Sequence, residues 1–148
     1  MTLRGNPFTL IGPELKVGGK APEFEAIDGA LQPVTLASTG NAVRVFSVVP
    51  SLDTPVCDAQ TKRFNEEAAK MAGVEIYTIS MDLPFALKRF CAAEGIANVE
   101  AGSDFRYHDA AHVWGAALTE GALAGTLGRI TWVIDQEGVI RYQEVAPE

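Results

Sequence analysis

The sequence has few cysteines, no long apolar run and no cluster of basic residues. Only two cysteines occur among 148 residues, which excludes the disulfide framework of a small secreted protein. No apolar run approaches the ~20 residues that a membrane span requires. The first ten residues also lack the apolar stretch of a signal peptide. We therefore expect a cytoplasmic protein that does not enter a membrane.

The charge balance is acidic. Twelve basic and 19 acidic residues give a formal net charge of −7, and binding to nucleic acid requires clustered lysine and arginine instead. The composition, 47% hydrophobic and 21% charged, is ordinary for a globular protein. These values predict one domain, residues 1–148, without nucleic acid as a partner.

Hydrophobic patterns predict the elements of an α/β fold. After a hairpin-like N-terminal arm, residues 42–49 are nearly continuously apolar, as in a central strand that is buried on both faces. A helix is predicted over about 55–71, a strand over 74–80 and a second helix from 83 or 84 to about 94.

The C-terminal part contains a glycine-rich segment between two further groups of elements. A short helix is predicted over 109–114, and the three glycines of 121–128 predict a mobile loop. Strands over 130–134 and 139–142 are joined by an Asp-Gln-Glu-Gly turn and should form an antiparallel hairpin. The order β-α-β-α followed by a β-hairpin predicts a mixed sheet flanked by helices, which is a thioredoxin-like order with an N-terminal hairpin extension.

Cys57 follows the first predicted core strand at the start of a helix. Thr54 is a suitable N-cap and Pro55 suits the first helical position, so Cys57 falls in the first turn. The free N–H groups and the helix dipole at that position favour an anion and lower the pKa of a thiol. Composition alone favours a buried apolar cysteine, but this local context favours a nucleophilic thiolate.

A thiolate at this position suits the reduction of a peroxide. The Thr54 hydroxyl can lie beside the sulfur, and the backbone N–H groups of Val56 and Cys57 can stabilise charge on the peroxide oxygens. A fixed positive charge would complete the site and must come from a distant arginine.

These residues resemble a known family. Pro50, Thr54 and Cys57 have the spacing of the peroxiredoxin motif Pro-x-x-x-Thr-x-x-Cys. Further segments along nearly the whole chain resemble the thiol peroxidase branch, which contains the atypical two-cysteine peroxiredoxins: 6–7, 51–54, 82–86, 89–91, 93–95 and 103–106.

The resemblance implies a role for several residues. It makes Cys91 the resolving thiol, which would condense with a sulfenic acid on Cys57, and Arg129 the active-site cation. It also implies that Pro50 and Val56 border the substrate. Two simpler interpretations stay open, namely that Cys91 is a small core residue and that Arg129 is a solvated strand end. Local unwinding around the cysteines is expected, since a disulfide brings two Cα atoms within about 7 Å.

The resemblance further implies a hydroperoxide substrate, thioredoxin as the reductant, a homodimer, and no metal or organic cofactor. Family members commonly continue into a final amphipathic helix, which residues 1–148 do not include. We therefore expect that face of the hairpin to be covered either by further residues of this chain or by another chain. Three alternatives remain: a peroxide sensor or redox-regulated binding domain, an interaction module with two inert cysteines, and a peroxidase that uses only one thiol.

Overall fold

A computed structural model describes most of the chain. The described residues are 2–3, 6–7, 10–11, 16–37, 42–51, 55–68, 70, 73–94, 99–118 and 125–145. For residues 2–3, 6–7, 10–11, 55–60, 68 and 94 only the backbone is described.

Within these residues the chain forms eleven strands and three helices. The strands are β1 (Thr2–Leu3), β2 (Asn6–Pro7), β3 (Leu10–Ile11), β4 (Glu25–Asp28), β5 (Pro33–Thr35), β6 (Val43–Val48), β7 (Val74–Ser80), β8 (Val99–Ser103), β9 (Ala117–Leu118), β10 (Ile130–Ile134) and β11 (Ile140–Val145). The helices are α1 (Pro55–Ala68), α2 (Pro84–Glu94) and α3 (Asp109–His112).

The main sheet is of mixed direction, as predicted. Its strand order within the described chain is β11-β10-β6-β7-β8-β4-β5. Strands β6, β7 and β8 run parallel, whereas β10 is antiparallel to both β6 and β11. β6 therefore lies inside the sheet, which explains why it is almost continuously apolar. Its one charged side chain, Arg44, is buried and donates to the backbone oxygen of Asp135 at 2.6 Å.

Alternate residues of β6 contact two different hydrophobic clusters. Phe46 packs with Phe24 and Trp114 in edge-to-face contacts on one side of the sheet. Val45 belongs to a cluster around the buried Ile76 and Val99. Because successive side chains of a strand point to opposite faces, these two clusters cover opposite faces of the sheet.

Helices α1 and α2 pack on the same face. Phe64 of α1 joins Phe90 and Cys91 of α2 against Ile76 and Val99. Helix α1 packs on β7 and β8, and α2 packs on β8 and β4. Both helices were predicted, and α2 has the predicted end, but α1 ends at Ala68 instead of near residue 71.

The N-terminal arm is more divided than the sequence predicts. β1 and β2 form the expected hairpin, whereas β3 pairs with the distant β9. β4 and β5 form a second hairpin at the edge of the main sheet. Strands β5, β8 and β9 were not predicted. Residues 121–124 of the predicted mobile loop lie outside the described residues.

No helix in the described ranges is both long enough and apolar enough to cross a membrane.

Candidate active site

The candidate site lies at one edge of the main sheet. The parallel strands β6, β7 and β8 all end there, at Val48, Ser80 and Ser103. The chain between β6 and α1 carries Pro50 and Ser51, and α2 and α3 follow the ends of β7 and β8. In open α/β sheets, functional groups collect at this carboxyl edge.

Cys57 is placed at the start of α1. The helix begins at Pro55, so Cys57 is its third residue and lies in the first turn, as predicted. The first four backbone N–H groups of a helix have no partner within the helix, so this position offers donors to an anion. The predicted N-cap, Thr54, and the side chains of Val56 and Cys57 lie outside the described residues.

Arg129 and Pro50 come together through strand pairing. Ile130 is opposite Val48 in the antiparallel β10–β6 pair. Arg129 therefore lies level with Val49, next to the buried Pro50 that leads toward Cys57. The Arg129 side chain is half-buried, and its Nε atom is fully covered. Sheet register thus places a permanent cation at the same edge as the start of α1.

Cys91 lies deeper along the sheet. It is the eighth residue of α2, whereas Cys57 is the third residue of α1. Both helices begin at the carboxyl edge, so Cys91 lies about five residues further in, or ~7.5 Å at the rise of an α-helix. Neighbouring helices on one face lie about 8–10 Å apart, at right angles to this offset. We therefore expect the two Cα atoms to lie farther apart than a disulfide allows.

The surroundings of Cys91 suppress its reactivity. It is a free, half-buried cysteine among apolar neighbours, and burial raises the pKa of its thiol above the ordinary value of 9.0. The Cys91 sulfur is therefore protonated at neutral pH, and the thiol is a far weaker nucleophile than the thiolate.

A cleft of about 380 Å³ opens beside Cys91. The cleft is lined by Cys91 and by two acidic residues, a lysine and several small or apolar residues. These are Asp28, Gly29, Ala30, Leu87, Lys88, Glu100 and Ala101. Burial raises the pKa of Glu100, and the nearby carboxylates of Glu75 and Asp28 add to this effect.

Sequence reasoning did not single out the polar groups that join the strand ends. The Asp82 carboxylate accepts hydrogen bonds from the Ser51 hydroxyl at 2.7 Å and from the Ser80 hydroxyl at 2.8 Å. The sequence did contain a signal, because Ser51 and Asp82 each lie two residues after a predicted strand, 42–49 and 74–80. Nothing in the sequence pattern, however, shows which strand end contacts which.

Asp104 fixes the end of β8 to the start of α3. Its Oδ1 and Oδ2 atoms accept the backbone N–H groups of Ala110 and Ala111 at 2.8 and 3.0 Å. Its own N–H donates to the backbone oxygen of Ser80 at 2.8 Å. The carboxyl is completely buried, and this burial raises its pKa while the two backbone donors partly offset the shift.

Replacement of Asp104 by asparagine should destabilise the fold. The asparagine amide has one acceptor oxygen, so its NH2 group would face a buried backbone N–H. A buried donor without a partner costs about 1–3 kcal/mol, and we expect the free energy of unfolding to fall by that amount. Urea denaturation checks this value. An unchanged or higher stability would show that the cost of burying the charge outweighs the second hydrogen bond.

In the described ranges, no group of three or more His, Cys, Asp or Glu residues is arranged to hold a metal ion.

Comparisons with known proteins agree with this geometry. The AhpC/TSA family profile matches residues 17–143. A thiol peroxidase from Aquifex aeolicus is 49% identical over 148 residues, which are all of this chain and 87% of that protein. A thiol peroxidase from Bacillus subtilis is 46% identical, again over all of this chain and 87% of the relative.

Solved structures give the same result. The crystal structure of a peroxiredoxin-like protein from Aquifex aeolicus superposes with a TM-score of 0.93 at 49% identity, covering 99% of this chain and 85% of that one. A thiol peroxidase from Chromobacterium violaceum has a TM-score of 0.89 at 20% identity, with the same coverage, and so supports the fold alone.

The chain therefore belongs to the AhpC/TSA family. Its fold is thioredoxin-like, as predicted. It is a peroxidase of the peroxiredoxin class, an enzyme that reduces peroxides with a thiol.

Proposed function

We propose that Cys57 is the thiol that attacks the peroxide and that Cys91 resolves the product as an intramolecular disulfide. The position of Cys57 carries this proposal, because it lies in the first turn of α1 at the carboxyl edge of the sheet. The register that brings Arg129 to the same edge supports it.

In the first step the Cys57 thiolate attacks the terminal oxygen of a hydroperoxide. The S–O bond forms as the O–O bond breaks, and the leaving alkoxide takes a proton, so the products are an alcohol and a sulfenic acid. Arg129, the Thr54 hydroxyl and the N–H groups of Val56 and Cys57 stabilise the charge that develops on the oxygens. Pro50 is buried and follows Val49, which lies level with Arg129, and it shields the reacting atoms from water.

In the second step the Cys91 sulfur displaces hydroxide from the sulfenic acid, and with one proton this leaves as water. The raised pKa of Cys91 and the depth of its position both oppose this reaction in the folded helix. We therefore propose that α1, α2 or both unwind locally before the disulfide forms. Two thiols of thioredoxin then reduce the disulfide by exchange.

The remaining parts of the proposal come from the family and the sequence. We propose that residues 1–148 act as one domain, that the enzyme is a cytoplasmic homodimer, and that it needs no metal or organic cofactor. Its substrates would include alkyl hydroperoxides.

The role of Cys91 is tested by coupling turnover to thioredoxin. We expect Cys91→Ser to lose thioredoxin-dependent turnover, because the exchange requires an intramolecular disulfide, while a single exposure to cumene hydroperoxide still oxidises Cys57. Oxidation of NADPH through thioredoxin reductase measures the turnover. Full thioredoxin-dependent turnover by Cys91→Ser would contradict the role of Cys91, and oxidation without turnover by the wild type would favour a sensor.

A further inference from the structure

The Asp82 carboxylate joins the two segments that lead to the two cysteines. Ser51 donates to its Oδ1 atom at 2.7 Å, and Ser80 donates to its Oδ2 atom at 2.8 Å. The Asp82 N–H also donates to the Ser80 hydroxyl at 3.3 Å. Asp82 is therefore fixed to the end of β7 by two bonds and reaches across to Ser51 with its other oxygen.

The positions of the two partners give this contact its importance. Ser51 lies beyond the end of β6, six residues before Cys57, and Asp82 lies two residues before the start of α2, which carries Cys91. At the end of β6, the Val49 N–H donates a backbone hydrogen bond to the oxygen of Ile79 in β7 at 2.9 Å. The Ser51–Asp82 bond continues this attachment past the strand ends.

The resolution step requires movement between these same segments. Cys91 lies about five residues deeper along its helix than Cys57 does, so we expect the two cysteines to be too far apart to bridge while both helices are intact. Any unwinding at the start of α1 loosens the chain between Ser51 and Cys57. A bond that anchors Ser51 therefore favours the compact arrangement and opposes the one that forms the disulfide.

We propose that Asp82 is a positioning residue that acts through Ser51 on the fate of the Cys57 sulfenic acid. While the Ser51–Asp82 bond is made, Cys57 is held at the start of α1, where it reacts with peroxide. When the bond is broken, Cys57 is released toward Cys91. This inference rests on the proposed roles of Cys57 and Cys91.

Two reactions compete for the sulfenic acid. In one, the Cys91 thiol displaces water and a disulfide forms. In the other, the sulfenate attacks a second hydroperoxide, whose O–O bond breaks to give a sulfinic acid and an alcohol. A stronger hold on Ser51 prolongs the life of the sulfenic acid and favours the second reaction.

The variant Ser51→Ala removes the donor and keeps the carboxylate. We expect disulfide formation to accelerate by roughly tenfold, because a hydrogen bond to a charged group contributes about one decade or more to an equilibrium. The peroxide concentration at which half of the protein is converted to the sulfinic acid should rise by the same factor. The first step, oxidation of Cys57 to the sulfenic acid, should become slower. Stopped-flow fluorescence follows both steps, and intact mass measures the sulfinic acid.

Two further variants separate positioning from stability. Ser51→Thr keeps the hydroxyl and should restore the wild-type ratio of disulfide to sulfinic acid. Ser103→Ala removes a buried hydroxyl at the end of β8, which accepts a hydrogen bond from the N–H of Phe105. This variant should leave the ratio of disulfide to sulfinic acid unchanged. Thermal unfolding of all variants checks that each one is folded.

The outcomes distinguish a failure of this inference from a failure of the proposed function. The positioning role alone would be overturned if the wild type forms the Cys57–Cys91 disulfide but Ser51→Ala shows the same ratio of disulfide to sulfinic acid. An equal shift in Ser103→Ala, or no rescue by Ser51→Thr, would also overturn it. A wild type that forms no such disulfide would overturn the proposed function and this inference with it.

Discussion

Replacement of Cys57 by serine is expected to abolish peroxide reduction. Serine has nearly the same size, but its hydroxyl stays protonated at neutral pH and is a poor nucleophile without an adjacent base. Removal of the nucleophile from an enzyme costs roughly a thousandfold or more in rate. Consumption of cumene hydroperoxide by the reduced protein, with dithiothreitol as the final reductant, measures this loss.

The comparison with Cys91→Ser makes this result specific. Both variants lose one thiol, so a non-specific reaction of exposed thiols with peroxide would decrease by a similar factor in each. The proposed mechanism instead predicts that Cys91→Ser still consumes peroxide with dithiothreitol while Cys57→Ser does not. Equal residual activities in the two variants would contradict the assignment of Cys57.

Replacement of Arg129 by alanine should give the second-largest loss. A preorganised donor to a developing oxyanion contributes about 10²–10³-fold to the rate, and the guanidinium also favours the thiolate of a neighbouring cysteine. We therefore expect the rate constant for oxidation by cumene hydroperoxide to fall by that factor at neutral pH. Arg129→Lys should recover part of the rate, because it keeps the charge but loses the planar array of donors.

Arg141 provides the matched control. It lies on the strand next to β10, but its side chain pairs with Asp135 at the other end of the hairpin, at 2.8 Å. The Arg141 side chain is 60% exposed, so Arg141→Ala should cost little stability and leave the oxidation rate unchanged. An Arg129→Ala variant that is folded and oxidised as fast as Arg141→Ala would contradict the catalytic role of Arg129.

The sequence predicted the parts of the fold that depend on local patterns. The apolar run of β6, the helix start at Pro55 and the turn before β11 are all visible in a short window. Cys57 could be placed in the first turn of α1 for the same reason, since Thr54 and Pro55 mark a helix start. These predictions needed no knowledge of which strands pair.

The strand β8 was missed because packing controls its composition. Its sequence Val-Glu-Ala-Gly-Ser has low strand propensity. The glycine has a tertiary cause, since a Cβ atom at Gly102 would lie 2.9 Å from Ile79 Cδ1 and 3.3 Å from Ala26 Cβ. The neighbouring strands β7 and β4 thus leave no room for a side chain, and this constraint cannot be seen in a short window.

The polar contacts of the site were missed for a related reason. Ser51 and Asp82 are 31 residues apart, and they meet only because β6 and β7 pair in parallel and end at the same edge. The position of Arg129 depends in the same way on the register of β10 against β6. Family resemblance supplied Arg129, but no sequence pattern supplied the Ser51–Asp82 bond.

The most direct test of the central claim locates the first oxidised sulfur. Reduced Cys91→Ser is treated with one equivalent of cumene hydroperoxide in the presence of dimedone, which traps sulfenic acids, and the modified peptide is identified by mass spectrometry. We predict rapid and nearly complete labelling of Cys57, and a Cys57–Cys91 disulfide in the wild type treated in the same way. Labelling no faster than that of free cysteine, or no label at Cys57, would contradict the assignment of Cys57 as the peroxide-reactive thiol.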